Sequence, residues 1–212
     1  MQTSNHKFNE IARTVFKPAY PVIADQIIKR TGITQGACLD IGCGGGYLGF
    51  ALMAKTRISV YFLDSSQEML EIAKGNIHEQ GLIQRAAIIK GEATEIPLPA
   101  NTCRLAVSRG SAFFWQNLPR AFLEIYRILR HGGMSYIGGG FGSAELKEKI
   151  SREMEAIHGR KAWRNMVARN LGTGMRREFE NSLKSASIKN YTIVHNHEEG
   201  LWVIMTREAD CE

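Results

Sequence analysis

Residues 38–49 read Cys38-Leu39-Asp40-Ile41-Gly42-Cys43-Gly44-Gly45-Gly46-Tyr47-Leu48-Gly49. A short apolar run passes through an acid and opens onto a glycine-rich turn that leads into a helix. Glycine has no Cβ, so such a turn lets the backbone approach a ligand closely. The first N–H groups of the following helix are expected to point at whatever rests on the turn. The stretch therefore predicts a nucleotide-type cofactor site at the end of a first strand.

Two cofactors compete for these residues. Positions 44–49 satisfy G-x-G-x-x-G, the dinucleotide pattern, and make an NAD(P)-dependent oxidoreductase the alternative. Positions 40–46 equally satisfy an acid-led G-x-G-x-G pattern suited to S-adenosylmethionine. The acid discriminates. A carboxylate two residues before the first glycine repels a diphosphate at short range and attracts a cofactor bearing an ammonium and a sulfonium. Asp40 favours the methyl donor.

Outward from this turn, strand and helix alternate. A helical segment over 8–31 is broken by Pro18 and Pro21 and ends at Gly32. Strands are expected at 37–41, 58–63, 86–90, 105–108 and 134–137, with helices over 47–55 and from about 66 to 80. Ser65 with Glu68 reads as a capping box. Asn117 reads as the cap of a helix to Arg130, ended by His131-Gly132-Gly133. A helical stretch, 143–187, precedes two strand-like runs, 188–194 and 201–206, joined by a turn at Gly200 as an antiparallel hairpin. The expected fold is α/β: a Rossmann-like, doubly wound, mostly parallel seven-stranded sheet with an antiparallel C-terminal hairpin and a helical cap. One domain over 1–212 is expected, with N-terminal helices (1–35), a cofactor-binding core (36–142), the cap (143–187) and the hairpin (188–212).

The 212 residues carry a net charge of +6. The excess lies in 143–187, where ten Lys/Arg face six Glu. Interleaving of this kind reads as a solvated helical surface, which ranks an RNA-modifying enzyme as an alternative and not as the first choice. The four cysteines, Cys38, Cys43, Cys103 and Cys211, show no metal-type spacing, so neither a metal nor disulfides are expected and the cytoplasm is the expected compartment. No apolar run is long enough to cross a membrane. His195 and His197 share a strand face without a marked third ligand.

In a doubly wound sheet, ligands bind beyond the carboxyl ends of the strands. Asp40, Asp64, Glu92 and the Ser108-Arg109 pair end four of them. Asp64, at the end of the second strand, can accept from both hydroxyls of a ribose. Glu92 with Ala93 offers a carboxylate and an N–H beside an adenine. Arg109 sits where an acceptor belongs, and burying a guanidinium requires an anionic acceptor or an internal acid. Phe114, Trp115 and Phe141 are expected to wall the acceptor pocket. Four glycines in 138–142 suggest close approach by backbone or ligand.

With LDIGCGGGYLG, YFLDSSQEML, GEATEIPLP, VSRGSAFFW and AFLEIYRILRHGGMSYIGG in place, the chain resembles a class I S-adenosylmethionine-dependent methyltransferase of the type 11, small-molecule kind. The resemblance covers roughly 16–142. It implies cofactor contacts at Gly42, Gly44, Asp64, Ser65, Glu92, Ala93 and Ser108, to which Asp40 and Met69 are added, and it suggests that Tyr20 closes over the methionine end. It implies a small-molecule acceptor, with no base assigned. Two departures stand out. Arg104 replaces an acid usual at the start of the fourth strand, and the [DN]-P-P-[YF] element of many nucleic-acid methyltransferases is absent.

Overall fold

A computed structural model describes residues 4–208; Cys211 lies outside the described residues. Two helices, α1 (Ser4–Thr14) and α2 (Ala19–Thr31), precede β1 (Gln35–Ile41), α3 (Tyr47–Lys55), β2 (Arg57–Asp64), α4 (Gln67–Glu79), β3 (Ala86–Lys90) and β4 (Cys103–Arg109). Then come α5 (Leu118–Ile128), β5 (Leu129–Gly139), α6 (Ala144–His158), α7 (Arg160–Leu171), α8 (Thr173–Ser185), β6 (Tyr191–Asn196) and β7 (Gly200–Met205). The seven strands form one sheet in the order β3-β2-β1-β4-β5-β7-β6. β1 pairs in parallel with β2 and β4, and β5 with β4; β7 runs antiparallel between β5 and β6. The strand order reverses between β1 and β4, the switch point at which such sheets bind ligands.

Apolar side chains fill both faces of the sheet, which removes them from water. On one face Ile23 and Ile27 of α2 and Leu52 and Met53 of α3 pack with Val60, Phe62 and Tyr136. On the other, Phe122 and Ile125 of α5 and Phe179 and Leu183 of α8 pack with Leu39, Ile41 and Ala106. The cap joins both faces: Met154 of α6 and Trp163 of α7 belong to the first cluster, α8 to the second.

Three boundaries differ from expectation. The cap of α4 is Ser66, whose Oγ accepts from Met69 N at 3.3 Å. Asp64 Oδ1 accepts from Ser66 N and moves the helix start past Ser65, while Glu68 meets Asn5 of α1. The α5 helix stops at Ile128, and His131-Gly132-Gly133 lie within β5. Arg207 is the cause: its Nη1 donates to the carbonyls of Tyr126, Arg127 and Leu129, satisfying the last acceptors of the helix from 80 residues away. His131 consequently is not a helix-end residue; its Nδ1 lies 2.8 Å from the Glu208 carbonyl. Finally, β6 begins at Tyr191 and not at Ile188, because Ser187 turns left-handed (φ 56°) and Ile188 N closes on the Leu183 carbonyl, finishing α8.

The glycines at the end of β5 and just beyond it serve backbone approach. A Cβ on Gly138, whose φ is +153°, would collide with the Leu201 carbonyl of β7, and one on Gly140 with that of Glu199. Gly138→Ala is predicted to lower stability by about 2–4 kcal/mol from combined strain and overpacking, measured by chemical denaturation; an unchanged midpoint would contradict the tight β5–β7 seam.

Candidate functional site: a cavity over the carboxyl ends of the strands

The glycine turn is tied to β2 before any ligand is considered. Gly42 N and Cys43 N donate to the Leu63 carbonyl at 2.8 and 3.0 Å, and Gly46 N returns to the Cys43 carbonyl. Gly44 N donates to Asp64 Oδ2 at 2.9 Å. Gly49, in the first turn of α3, donates to Asp40 Oδ2 at 2.9 Å. Five N–H groups of the turn and the first turn of α3 are therefore taken by protein acceptors, two of these acceptors being carboxylates. A diphosphate would find several donors occupied and negative charge beside it, whereas a cationic group gains from the same arrangement.

Gly44 is left-handed (φ 53°) and faces open space, and the absent Cβ of Gly42 makes room for Ser111. Ser111 Oγ donates to the Ile41 carbonyl and shares a 2.6 Å hydrogen bond with Ser108. Ser108 is fully buried behind Ser111, so it supports the cavity wall without lining it. This is the one expected cofactor residue that the structure does not bring to the cavity surface. Tyr20, Asp40, Gly42, Gly44, Asp64, Ser65, Met69, Glu92 and Ala93 all line a single cavity of about 970 Å³. Arg109, Phe114, Trp115 and Phe141 line it too.

Asp40 is buried. Loss of solvent pushes its carboxyl up to about 7, the Asp64 charge adds to this, and the Gly49 N–H opposes it. Asp64 is half-buried, and each of its oxygens accepts one backbone N–H, leaving further lone pairs for a ligand. Tyr20 lies against Tyr47, with ring centres 5.6 Å apart, and burial raises its phenol to about 12.

At the other end of the cavity, Arg109 Nη2 donates to the Gly140 carbonyl at 3.2 Å. Its guanidinium lies 4.1 Å from the centre of the Phe16 ring and 5.5 Å from that of Tyr20. No internal acid pairs with it among the described residues. Burial lowers its pKa, and Tyr20 partly offsets this. Phe16, Met154, Trp163 and Met166 complete this end. Phe16 went unread because it lies outside the helical periodicity, in the break before Pro18. His195 Nε2 meets the Leu171 carbonyl at 2.9 Å and ties β6 to α7. Among the described residues no cluster of three or more His, Cys, Asp or Glu could hold a metal ion, and no helix is long and apolar enough to cross a membrane. Basic residues of the cap pair with its glutamates, as Arg164 does with Glu155, and Arg176 and Lys184 with Glu180.

A seven-stranded sheet of this order, with an acid-flanked glycine turn at its switch point, defines the class I methyltransferase architecture. A family model described as a methyltransferase domain matches residues 39–137. The chain is 42% identical to a crystal structure assigned as an S-adenosyl-L-methionine-dependent methyltransferase from Methanococcus maripaludis, covering 98% of this chain and 93% of that one, with a TM-score of 0.93. It is 31% identical over 102 residues to a 2-methyl-6-phytyl-1,4-hydroquinone methyltransferase of Oryza sativa, and 28% identical over 109 residues to a sterol 24-C-methyltransferase of Pneumocystis carinii. Those matches span 48% and 51% of this chain, and only 28% and 29% of the relatives' own lengths. The chain belongs to the S-adenosylmethionine-dependent methyltransferase family, and S-adenosylmethionine is its cofactor.

The buried Asp40 makes a prediction about pH. Its carboxyl titrates near 7 when folded and near 3.8 otherwise, so it contributes most stability when protonated, and that contribution is lost as pH rises from about 4 to about 7. Asp40→Asn keeps an acceptor for Gly49 N–H without the charge. The Tm of the ligand-free wild type should fall relative to this variant across that window; a constant difference would contradict the shift.

Proposed function

We propose that the chain transfers the methyl group of S-adenosylmethionine to a small organic acceptor held in the same cavity. The observation that carries this reading is one cavity lined by Asp64, the Asp40-backed turn, Arg109 and residues of the cap. When bound, the cofactor supplies an electrophilic methyl carbon on a sulfonium. In this reading Asp64 accepts from the ribose hydroxyls, and Glu92 and the Ala93 backbone flank the adenine. Gly42 and Gly44, with Ser65 nearby, form the floor. Met69 packs against the adenosine, and Tyr20 closes over the amino-acid end. Ser108 holds Ser111 in place.

The remaining work of the protein is positioning and exclusion of water, which lower the barrier by fixing the reacting groups against each other. Phe114 is exposed at the mouth, and Trp115, Phe141 and Trp163 supply apolar wall. No side chain is assigned as a base; an acceptor that reacts as an anion needs none. The quinone and sterol substrates of curated relatives support a small-molecule acceptor. The reading takes 1–212 as one catalytic domain with 143–187 as its acceptor cap, supported by Met154 and Trp163 sharing the cavity with Asp64. Three free described cysteines support a reducing compartment, the cytoplasm.

Calorimetric titration with S-adenosylhomocysteine and with NADH tests the proposal. Saturable binding of the first alone is expected. Asp64→Ala should weaken it by about 100-fold or more, the value of two hydrogen bonds to a charged group at about 1.5–3 kcal/mol each. Binding of NADH in preference, or an unaffected Asp64→Ala, would refute the assignment.

A further inference from the structure

Arg109 stands apart from every other buried polar group in the cavity. Its Nε is inaccessible to solvent and has no hydrogen-bond partner, while Nη2 donates to the Gly140 carbonyl and the Tyr20 hydroxyl lies against the guanidinium. A guanidinium stays protonated and presents five donors in a planar fork. One carbonyl does not satisfy that fork, and a charged donor left without an acceptor is costly when buried. An oxyanion supplied from the cavity would meet the remaining terminal N–H groups of the fork, Nε itself being closed to solvent.

Apart from Ser108 on β4 and Tyr20 on α2, whose ring centre lies 5.5 Å from the guanidinium, the cofactor residues lie at or after the ends of β1, β2 and β3. Arg109 ends β4 and bonds to Gly140 beyond β5, on the opposite side of the switch point. Around it the surfaces are flat and apolar. Phe16 covers one face of the guanidinium; the Phe16 and Phe141 rings lie 6.3 Å apart at 21°, and Trp163 meets Phe141 edge-on at 6.1 Å. Met154 and Met166 close the cap side with side chains that adapt their shape.

Resting on the methyltransferase reading above, we infer that the acceptor is a small carboxylic acid with a flat, apolar, ring-like body, its carboxylate seated on Arg109 and its ring laid against the aromatic wall. One guanidinium balances one negative charge, which selects a carboxylate over a phosphate dianion, and the fork matches a carboxylate edge. The cavity, at the upper end of the roughly 300–1,000 Å³ usual for ligand sites, has room for such an acid beside the cofactor.

The test is calorimetry on the full chain saturated with S-adenosylhomocysteine, titrated with benzoate, cinnamate and 3-phenylpropionate and with the methyl ester of each. At least one acid should bind at least tenfold more tightly than its ester. Arg109→Gln should abolish that preference and Arg109→Lys retain part of it, with thermal melting of both variants as the folding control. Equal binding of acid and ester by the wild type, or saturable binding of none of the acids, overturns the inference while leaving the methyltransferase reading intact. Arg109→Gln weakening S-adenosylhomocysteine tenfold, with acids and esters alike, also overturns it and gives the guanidinium to the carboxylate of the cofactor. Failure of the wild type to bind S-adenosylhomocysteine removes the methyltransferase reading itself.

Discussion

The structure depends on two carboxylates at the ends of adjacent parallel strands, Asp40 on β1, holding a backbone N–H of the first turn of α3, and Asp64 on β2, holding one of the turn between β1 and α3. With the Leu63 carbonyl they fix the turn in a shape that leaves its surface open and several of its donors used. A turn so constrained binds through shape and negative potential, not through the N–H cradle by which glycine loops hold phosphates. The choice of a cationic cofactor over a dinucleotide is thus built into the ligand-free backbone.

The constraint has a cost, visible in Asp40. A buried carboxyl raised to about 7 is held against solvation and against the charge of Asp64. Such strain is expected where a site is prepared for a ligand of opposite charge. Arg109 is the counterpart at the other end: a buried cation with an unanswered donor. One cavity therefore holds a negative end and a positive end, separated by aromatic walls.

Much of this was legible in the sequence because its signals are local. Strand alternation placed all seven strands, and the residues ending them converged on one cavity. What was misread depends on distant partners. Arg207 ends α5 from beyond β7, and no pattern within 117–133 announces it. Asp64 displaces the cap of α4 by accepting from Ser66, a turn preference that overrode the Ser65–Glu68 spacing. The left-handed Ser187 shortened β6 because serine at a helix end carries none of the signal that glycine does. Ser108 fits the motif but lies behind Ser111, a difference of depth that spacing does not encode. Phe16 entered the site only through the fold.

The central claim is that one cavity seats cofactor and acceptor end to end, with Asp64 and Arg109 at its poles. A crystal structure of the full chain with S-adenosylhomocysteine tests it most directly. The account predicts ribose hydroxyls bonded to Asp64, with the sulfur opening toward the free space beside Arg109 and Phe141. A nucleoside placed away from Asp64, or a ligand filling the space around Arg109 so that no acceptor fits, would contradict it.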